Sequence, residues 1–188
     1  VINALTDLSH PCQALADLYT LREIDGSLQG KRIAYVGDAN NVARSLAVAC
    51  ARLDVTLTIA APAGYEFDAS FLKQLAAEHP NATPLGTTSP TEAVEGADAV
   101  YTDVWASMGQ EAEQEKREKD FAAYQVNAPL MRPAKDGAIF LHCLPARRGE
   151  EVTDEVMDSP NSRIVEQAAN RMHVQKAVIA WLLGVKDR

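Results

Sequence analysis

The sequence has no apolar run long enough to cross a membrane and no C-x-x-C pair. Its first residues, Val-Ile-Asn-Ala-Leu-Thr-Asp, lack the basic and apolar regions of a signal peptide. The three cysteines, Cys12, Cys50 and Cys143, are widely spaced, which argues against a disulfide framework and against a structural zinc site. We therefore expect a soluble protein of the cytoplasm that has no membrane partner.

The chain also lacks the basic character of a nucleic-acid-binding protein. It carries 26 acidic and 18 basic side chains, for a formal net charge of -8. Binding to a phosphate backbone needs a clustered positive surface, so we expect no nucleic-acid partner. A few arginines and backbone N–H groups can still hold a small anion. With 188 residues, 47% of them hydrophobic, the chain can bury a core of its own.

Apolar segments of strand character alternate with helical segments along the chain. Strands are predicted near residues 32, 56, 83, 98 and 138, the third of them over residues 82–85. This alternation predicts an α/β fold, a doubly wound, Rossmann-like five-stranded parallel sheet with helices on both faces. Apolar stripes are predicted on the terminal helices, with Leu15, Leu18 and Tyr19 on the first and Val174, Val178, Trp181 and Leu182 on the last.

The turn after the first strand lacks the glycines of a dinucleotide site. Only Gly37 is present there, and the second strand ends at Ala61-Pro62 without a carboxylate for a ribose. A nicotinamide cofactor is therefore disfavoured. Asn40 and Asn41 instead place side-chain amides at the carboxyl edge of the sheet, where they suit a carboxylate or amide ligand. Their alternative role is turn formation or helix capping.

Two later strands deliver polar side chains to the same edge. The apolar run of residues 138–142 places His142 and Cys143 at its carboxyl end, before Pro145 stops the strand. Open α/β sheets bind their ligands at this end. Two interpretations of the cysteine stay open, a site thiol or a small buried hydrophobic residue. Asp103 follows another strand, where it can hold an ammonium group or cap a turn.

The terminal helices carry further candidates. His10 and Gln13 share one face in the first turn of the first helix, where free N–H groups favour an anion. The alternative is an N-cap role for His10 and a surface position for Gln13. Arg171 is predicted near the start of the last helix, where it can reach a substrate oxygen. The charged segment 111–120 is interpreted as a solvated helix face.

Five segments carry most of these polar residues, namely His10-Pro-Cys-Gln13, Asp38-Ala-Asn-Asn41, Asp103-Val-Trp-Ala-Ser-Met-Gly109, His142-Cys-Leu-Pro145 and Arg171. In this order they resemble the ornithine carbamoyltransferase family, and the resemblance covers all 188 residues. It implies an ornithine-binding domain in residues 31–188, preceded by a helix in residues 1–30 that carries the His-Pro-Cys-Gln motif. The family's amino-terminal domain, with its phosphate-binding Ser-x-Arg-Thr-Arg motif, is absent from this chain.

The resemblance also implies an activity, transfer of the carbamoyl group of carbamoyl phosphate to the δ-amine of L-ornithine. The products are L-citrulline and phosphate, no metal or cofactor takes part, and the full enzyme is a homotrimer. By the family pattern, His10 and Arg171 bond the carbamoyl oxygen, and Gln13 with the carbonyls of Cys143 and Leu144 holds its NH2 group. The implied ornithine contacts are Asn41, Asp103, Ser107 and Met108, and the implied catalytic residues are His10, Asp103, Cys143 and Arg171. Since the phosphate-binding motif is missing, we predict no turnover by the isolated chain.

Three other functions compete with this one. A non-catalytic amino-acid-binding module of the same fold would bind ornithine without turnover. A Rossmann-type oxidoreductase is weakened by the missing glycines, and stabilisation by a nicotinamide cofactor would revive it. In a purely structural or interaction domain, the polar groups at one sheet edge would have no ligand.

Overall fold

A computed structural model describes residues 1–80, 84–106 and 111–185 of the chain. Five parallel strands form one sheet in the order β3-β2-β1-β4-β5. The strands are β1 (Arg32–Val36), β2 (Thr56–Ala60), β3 (Leu85–Thr87), β4 (Ala99–Thr102) and β5 (Ile139–His142). The helices are α1 (Pro11–Asp25), α2 (Asn41–Arg52), α3 (Ala69–Glu78), α4 (Pro90–Val94), α5 (Gln114–Phe121), α6 (Ala128–Met131), α7 (Asp154–Met157) and α8 (Ile164–Leu182), with short 3-10 turns at Glu111–Glu113 and Ala122–Tyr124. Across the described ranges, no helix is long and apolar enough to span a bilayer.

The strand order creates a topological switch point between β1 and β4. β1 pairs with β2 on one side and with β4 on the other, and β5 lies beyond β4. In register, Val36 pairs with Ala60 and Thr102, and Thr102 pairs with His142. These strands therefore end at one level, and the residues that follow them emerge together at the edge where open α/β sheets bind ligands.

Alternate strand residues pack into two apolar clusters on opposite faces of the sheet. Tyr35 and Tyr101 belong to the cluster covered by α1, α2 and α3, and their stacked ring centroids lie 5.3 Å apart. Val36 and Phe140 belong to the other cluster, which includes Phe121 of α5. The predicted doubly wound parallel sheet with helices on both faces is confirmed.

The apolar stripes predicted on the terminal helices are partly wrong. In α1, Leu18 is buried, but Leu15 and Tyr19 are 41% and 42% exposed. In α8, Trp181 is 77% exposed. The prediction failed for α1 because this helix packs against both α2 and α8, and its buried face includes polar side chains such as Asp17.

Two predicted positions also differ from the structure. Arg171 lies in the interior of α8, because that helix already begins at Ile164. The third strand was predicted over residues 82–85, whereas β3 spans Leu85–Thr87. Residues 82 and 83 of that prediction lie outside the described residues.

Candidate functional site

A cavity of about 940 Å³ opens along the carboxyl edge of the sheet at the switch point. It is lined by six of the predicted site residues, His10, Asn41, Asp103, Cys143, Leu144 and Arg171. Gln13 is buried behind this lining, where it is bonded to Arg171. Ser107 and Met108 lie outside the described residues. A second, largely apolar cavity of about 580 Å³ lies between α1, α2 and α3 and is lined by none of the predicted site residues.

Asp103, directly after β4, is a carboxylate held by two neighbouring strand ends. Its Oδ2 accepts a hydrogen bond from Asn40 Nδ2 at 2.8 Å, and its Oδ1 accepts one from Cys143 Sγ at 2.9 Å. Asn40 also caps α2, because its Oδ1 accepts from the backbone N–H groups of Val42 and Ala43. The capping role and the edge position predicted for this asparagine therefore occur together. Asn41 donates to the backbone oxygen of Thr6 at 2.7 Å.

Cys143 is a half-buried thiol that lines the cavity. Burial raises its pKa well above the usual value, and the adjacent Asp103 charge raises the pKa further. The thiol therefore stays protonated at neutral pH and donates to the carboxylate. A protonated thiol is a poor nucleophile, so the geometry favours a hydrogen-bonding role over covalent chemistry.

His142, in contrast, faces the interior and shapes the loop that follows β5. It is 1% exposed, and its Nδ1 accepts from the backbone N–H of Leu144 at 2.9 Å. Its Nε2 then carries the proton and donates to Glu151 Oε1 at 3.0 Å. Leu144 has a left-handed φ of 58°, which this hydrogen bond helps to hold. Sequence reasoning missed Glu151, since nothing near it in the sequence suggests a buried partner for a histidine.

One cluster in the site has the composition of a metal centre. The candidate ligand atoms of Asp103, His142 and Cys143 lie within 4.8 Å of one another. Both ring nitrogens of His142 already have protein partners, and the thiol donates to the carboxylate. A metal would have to displace these bonds and deprotonate a thiol whose pKa is raised, so the donor set does not favour one.

Arg171 and His10 form another part of the lining. Arg171 Nη1 donates to Gln13 Oε1 and lies 3.5 Å from His10 Nε2. Burial lowers the pKa of His10, and the charge of Arg171 lowers it further, so the imidazole is neutral at pH 7. His10 occupies the N-cap position of α1 without a side-chain capping bond, and Gln13 is 1% exposed. His10 is therefore the N-cap residue by position, although its side chain makes no capping bond, and the alternative surface position of Gln13 is wrong.

Arg117 is a buried member of the segment that was predicted to be solvated. It is 6% exposed, and its Nη1 donates to Asp38 Oδ2 at 2.6 Å and to the backbone oxygen of Trp105 at 3.0 Å. Burial raises the pKa of Asp38, although the bond to Arg117 opposes that rise. Through these two bonds, Arg117 of α5 connects the turn after β1 with the loop after β4. The prediction holds for exposed residues of this segment such as Glu115 and Lys119, and it fails at Arg117, because Asp38 and Trp105 are distant from Arg117 in the sequence.

The sequence matches one known family over most of its length. Residues 29–182 match "Aspartate/ornithine carbamoyltransferase, Asp/Orn binding domain". The ornithine carbamoyltransferase of Thermococcus kodakarensis is 55% identical over 187 residues, which cover 98% of this chain and 59% of that protein. The Bacillus subtilis enzyme is 53% identical over 186 residues, which cover 97% of this chain and 58% of that protein. The chain thus spans about 59% of the length of the relatives it matches.

Solved structures give the same result. The ornithine carbamoyltransferase of Pyrococcus furiosus superposes with a TM-score of 0.91 and 52% identity, covering all of this chain and 60% of that one. The enzyme from Thermus thermophilus superposes with a TM-score of 0.86 and 45% identity, covering 97% and 58%. By sequence and by fold, this chain belongs to the aspartate/ornithine carbamoyltransferase family and contains its Asp/Orn-binding domain.

Proposed function

We propose that this chain is the ornithine-binding part of an ornithine carbamoyltransferase. The reaction transfers the carbamoyl group of carbamoyl phosphate to the δ-amine of L-ornithine and gives L-citrulline and phosphate. The observation that carries the proposal is the common cavity. Six residues expected to bind the two substrates come from distant parts of the sequence and line it together.

The amino-acid half of the site centres on Asp103. Its carboxylate and the amide of Asn41 line the cavity, where they would bind the charged α-amine and α-carboxylate of ornithine. By the family pattern, Ser107 and Met108 add contacts from outside the described residues. The δ-amine must lose a proton before it attacks, because a free alkylamine has a pKa of about 10.4. Removal from water in a closed site lowers that pKa.

The carbamoyl half of the site contains Arg171 and His10. The guanidinium is a permanent cation, and the neutral imidazole beside it supplies a second polar group. Negative charge develops on the carbamoyl oxygen as the amine attacks, and each preorganised donor typically stabilises such charge by roughly 3 kcal/mol. The protonated thiol of Cys143 and the loop carbonyl of Leu144 would bind and orient the transferred group.

The remaining length of the relatives would supply the phosphate-binding half. We assign residues 1–30 to the helix with the His-Pro-Cys-Gln motif and residues 31–188 to the ornithine-binding domain. The Ser-x-Arg-Thr-Arg motif does not occur in these 188 residues. Turnover would therefore require the amino-terminal domain, and the full enzyme would be a homotrimer.

Calorimetric titration of this chain with L-ornithine and with L-norvaline tests the proposal. We expect saturable binding that is lost in Asp103→Asn, because the variant removes the negative charge that pairs with the α-amine. Asp136→Asn is the matched control, since Asp136 is exposed and is not among the cavity-lining residues. Absence of binding at millimolar ligand, with and without carbamoyl phosphate, would contradict a preformed amino-acid half-site. Citrulline production by the pure chain would refute the predicted need for a second domain.

A further inference from the structure

Behind the cavity lining, the side chain of Asp17 receives hydrogen bonds from two amides. Asp17 lies in α1 and is 0% exposed. Its Oδ1 accepts from Gln13 Nε2 at 2.8 Å and from Gln167 Nε2 at 2.6 Å. Its Oδ2 is also buried and has no hydrogen-bond partner among the described residues. One carboxylate oxygen therefore joins α1 to α8.

Each amide continues from Asp17 to a different part of the site. The Oε1 atom of Gln13 accepts from Arg171 Nη1, and the Oε1 atom of Gln167 accepts from the backbone N–H of His142 at 2.9 Å. Oδ1 can accept both bonds in either protonation state of Asp17, because the proton can lie on the unpartnered Oδ2, and Oδ1 therefore attracts the NH2 end of each amide. The oxygen ends are thereby turned outward, toward a guanidinium and toward the last residue of β5.

Burying the carboxyl of Asp17 costs free energy, and the packing of α1 against α8 does not require a polar side chain at this position. Burial raises the pKa of Asp17 to about 7, and hydrogen bonds from Gln167 and Gln13 only partly oppose the rise. A buried polar group with an unsatisfied oxygen calls for an explanation, since an apolar side chain of similar size avoids its desolvation. The two oriented amides provide that explanation.

We propose that Asp17 is a positioning residue that acts through Gln13 on Arg171 and fixes the guanidinium where the carbamoyl oxygen binds. The inference rests on the proposed function for the identity of that oxygen. When Arg171 turns toward a ligand, Asp17 remains as the partner that keeps the Gln13 amide in one orientation. Gln167, which donates to the same oxygen of Asp17, in turn holds the backbone N–H of His142, the residue before Cys143.

A pair of ligands tests the role of Asp17. L-Citrulline carries the carbamoyl oxygen, and L-norvaline lacks the whole carbamoyl group. We expect citrulline to bind the wild-type chain about tenfold more tightly, the size of one charge-assisted hydrogen bond. In Asp17→Leu the ratio should fall to about one, whereas Asp17→Asn, which retains an acceptor oxygen, should stay within about twofold of wild type. General destabilisation affects both ligands alike and leaves the ratio unchanged.

A double-mutant cycle shows whether the effect passes through Arg171. Arg171→Met should also lower the ratio to about one, and adding Asp17→Leu to it should cause no further loss. A leucine variant that keeps the wild-type ratio would overturn the proposal while leaving the proposed function standing. If that variant does not fold, Gln13→Leu breaks the same path one residue nearer to Arg171 and must free the Arg171 guanidinium in NMR of the unliganded chain, because its citrulline affinity also depends on the contact expected between Gln13 and the carbamoyl NH2 group.

NMR of the unliganded chain decides the question without any ligand. If neither amino acid binds the wild type, the proposed amino-acid half-site fails, but the hydrogen-bonded path can still be examined. Guanidinium signals of Arg171 should show restricted rotation in the wild type and in Asp17→Asn. They should show free rotation in Asp17→Leu or in Gln13→Leu. Equal signals in all these chains would reject the positioning role.

Discussion

Replacing Asp17 by Asn should change how the stability of the chain depends on pH. Burial raises the pKa of this carboxyl to about 7 from the usual 3.8, so the folded state binds its proton more tightly than the unfolded state. Stability contributed by this proton is fully present below pH 3.8 and is lost as the pH rises to about 7. The gap between these two pKa values corresponds to roughly 4 kcal/mol. Between about pH 5 and about pH 8 the loss is roughly 2.5 kcal/mol.

The Asn variant has no proton to lose in this range. It keeps an oxygen for the amides of Gln13 and Gln167, but it places an NH2 group where Oδ2 has no partner among the described residues. That group costs about 1–3 kcal/mol at every pH. We therefore expect the variant to be less stable than wild type at about pH 5, and the difference to shift in favour of the variant by roughly 2.5 kcal/mol at about pH 8.

Urea unfolding of both proteins at the two pH values measures this shift by linear extrapolation. The cost of the unpaired NH2 group is the same at both pH values. The change in the stability difference between about pH 5 and about pH 8 therefore reports only the titration of Asp17. The exposed Asp136→Asn variant should follow the wild-type pH dependence. A stability difference between wild type and Asp17→Asn that is the same at both pH values would mean that this carboxyl titrates normally, and the reasoning from burial would fail.

Two further predictions concern other buried groups near the cavity. Arg117→Met leaves the half-buried Asp38 without its cation and should destabilise the chain by about 1–3 kcal/mol in urea unfolding, whereas adding Asp38→Asn should recover part of that loss. Cys143 should react slowly with iodoacetamide at neutral pH, because burial and the charge of Asp103 raise its pKa, and Asp103→Asn should speed the reaction.

The outcomes that contradict these predictions are specific. If the Arg117 and Asp38 substitutions destabilise the chain additively, the two side chains are not coupled across the 2.6 Å contact. If mass spectrometry finds Cys143 alkylated at the same rate in wild type and in Asp103→Asn, the carboxylate does not control the thiol. The buried Cys12 and Cys50 serve as internal references in the same peptide digest.

The sheet could be predicted because four strands are short apolar runs flanked by turn residues. β3 was placed least accurately, and its Leu85–Thr87 segment contains a glycine and has no buried residue. The edge position of Asp103 and Cys143 also followed from the pattern, since both come directly after strands. Strand ends in a parallel sheet are set by local sequence and by register.

The polar interior could not be predicted in the same way. Asp17 and Gln167 look like ordinary polar helix residues, and their contact joins positions 150 residues apart. Arg117 resembles its charged neighbours in α5, but its partner Asp38 is 79 residues away. Helical spacing gives the relative faces of such residues and contains no information on which distant element will cover them.

The contact between the two terminal helices has a consequence for folding kinetics. α1 packs against α8, and the pairs Gln167–Asp17 and Asn170–Thr20 each close a loop of 150 residues. Such long-range contacts bear a large loop-closure entropy, so we expect them to form late, after the sheet has assembled. Since the cavity is lined by both His10 and Arg171, a ligand bound there would slow unfolding and leave the folding rate nearly unchanged.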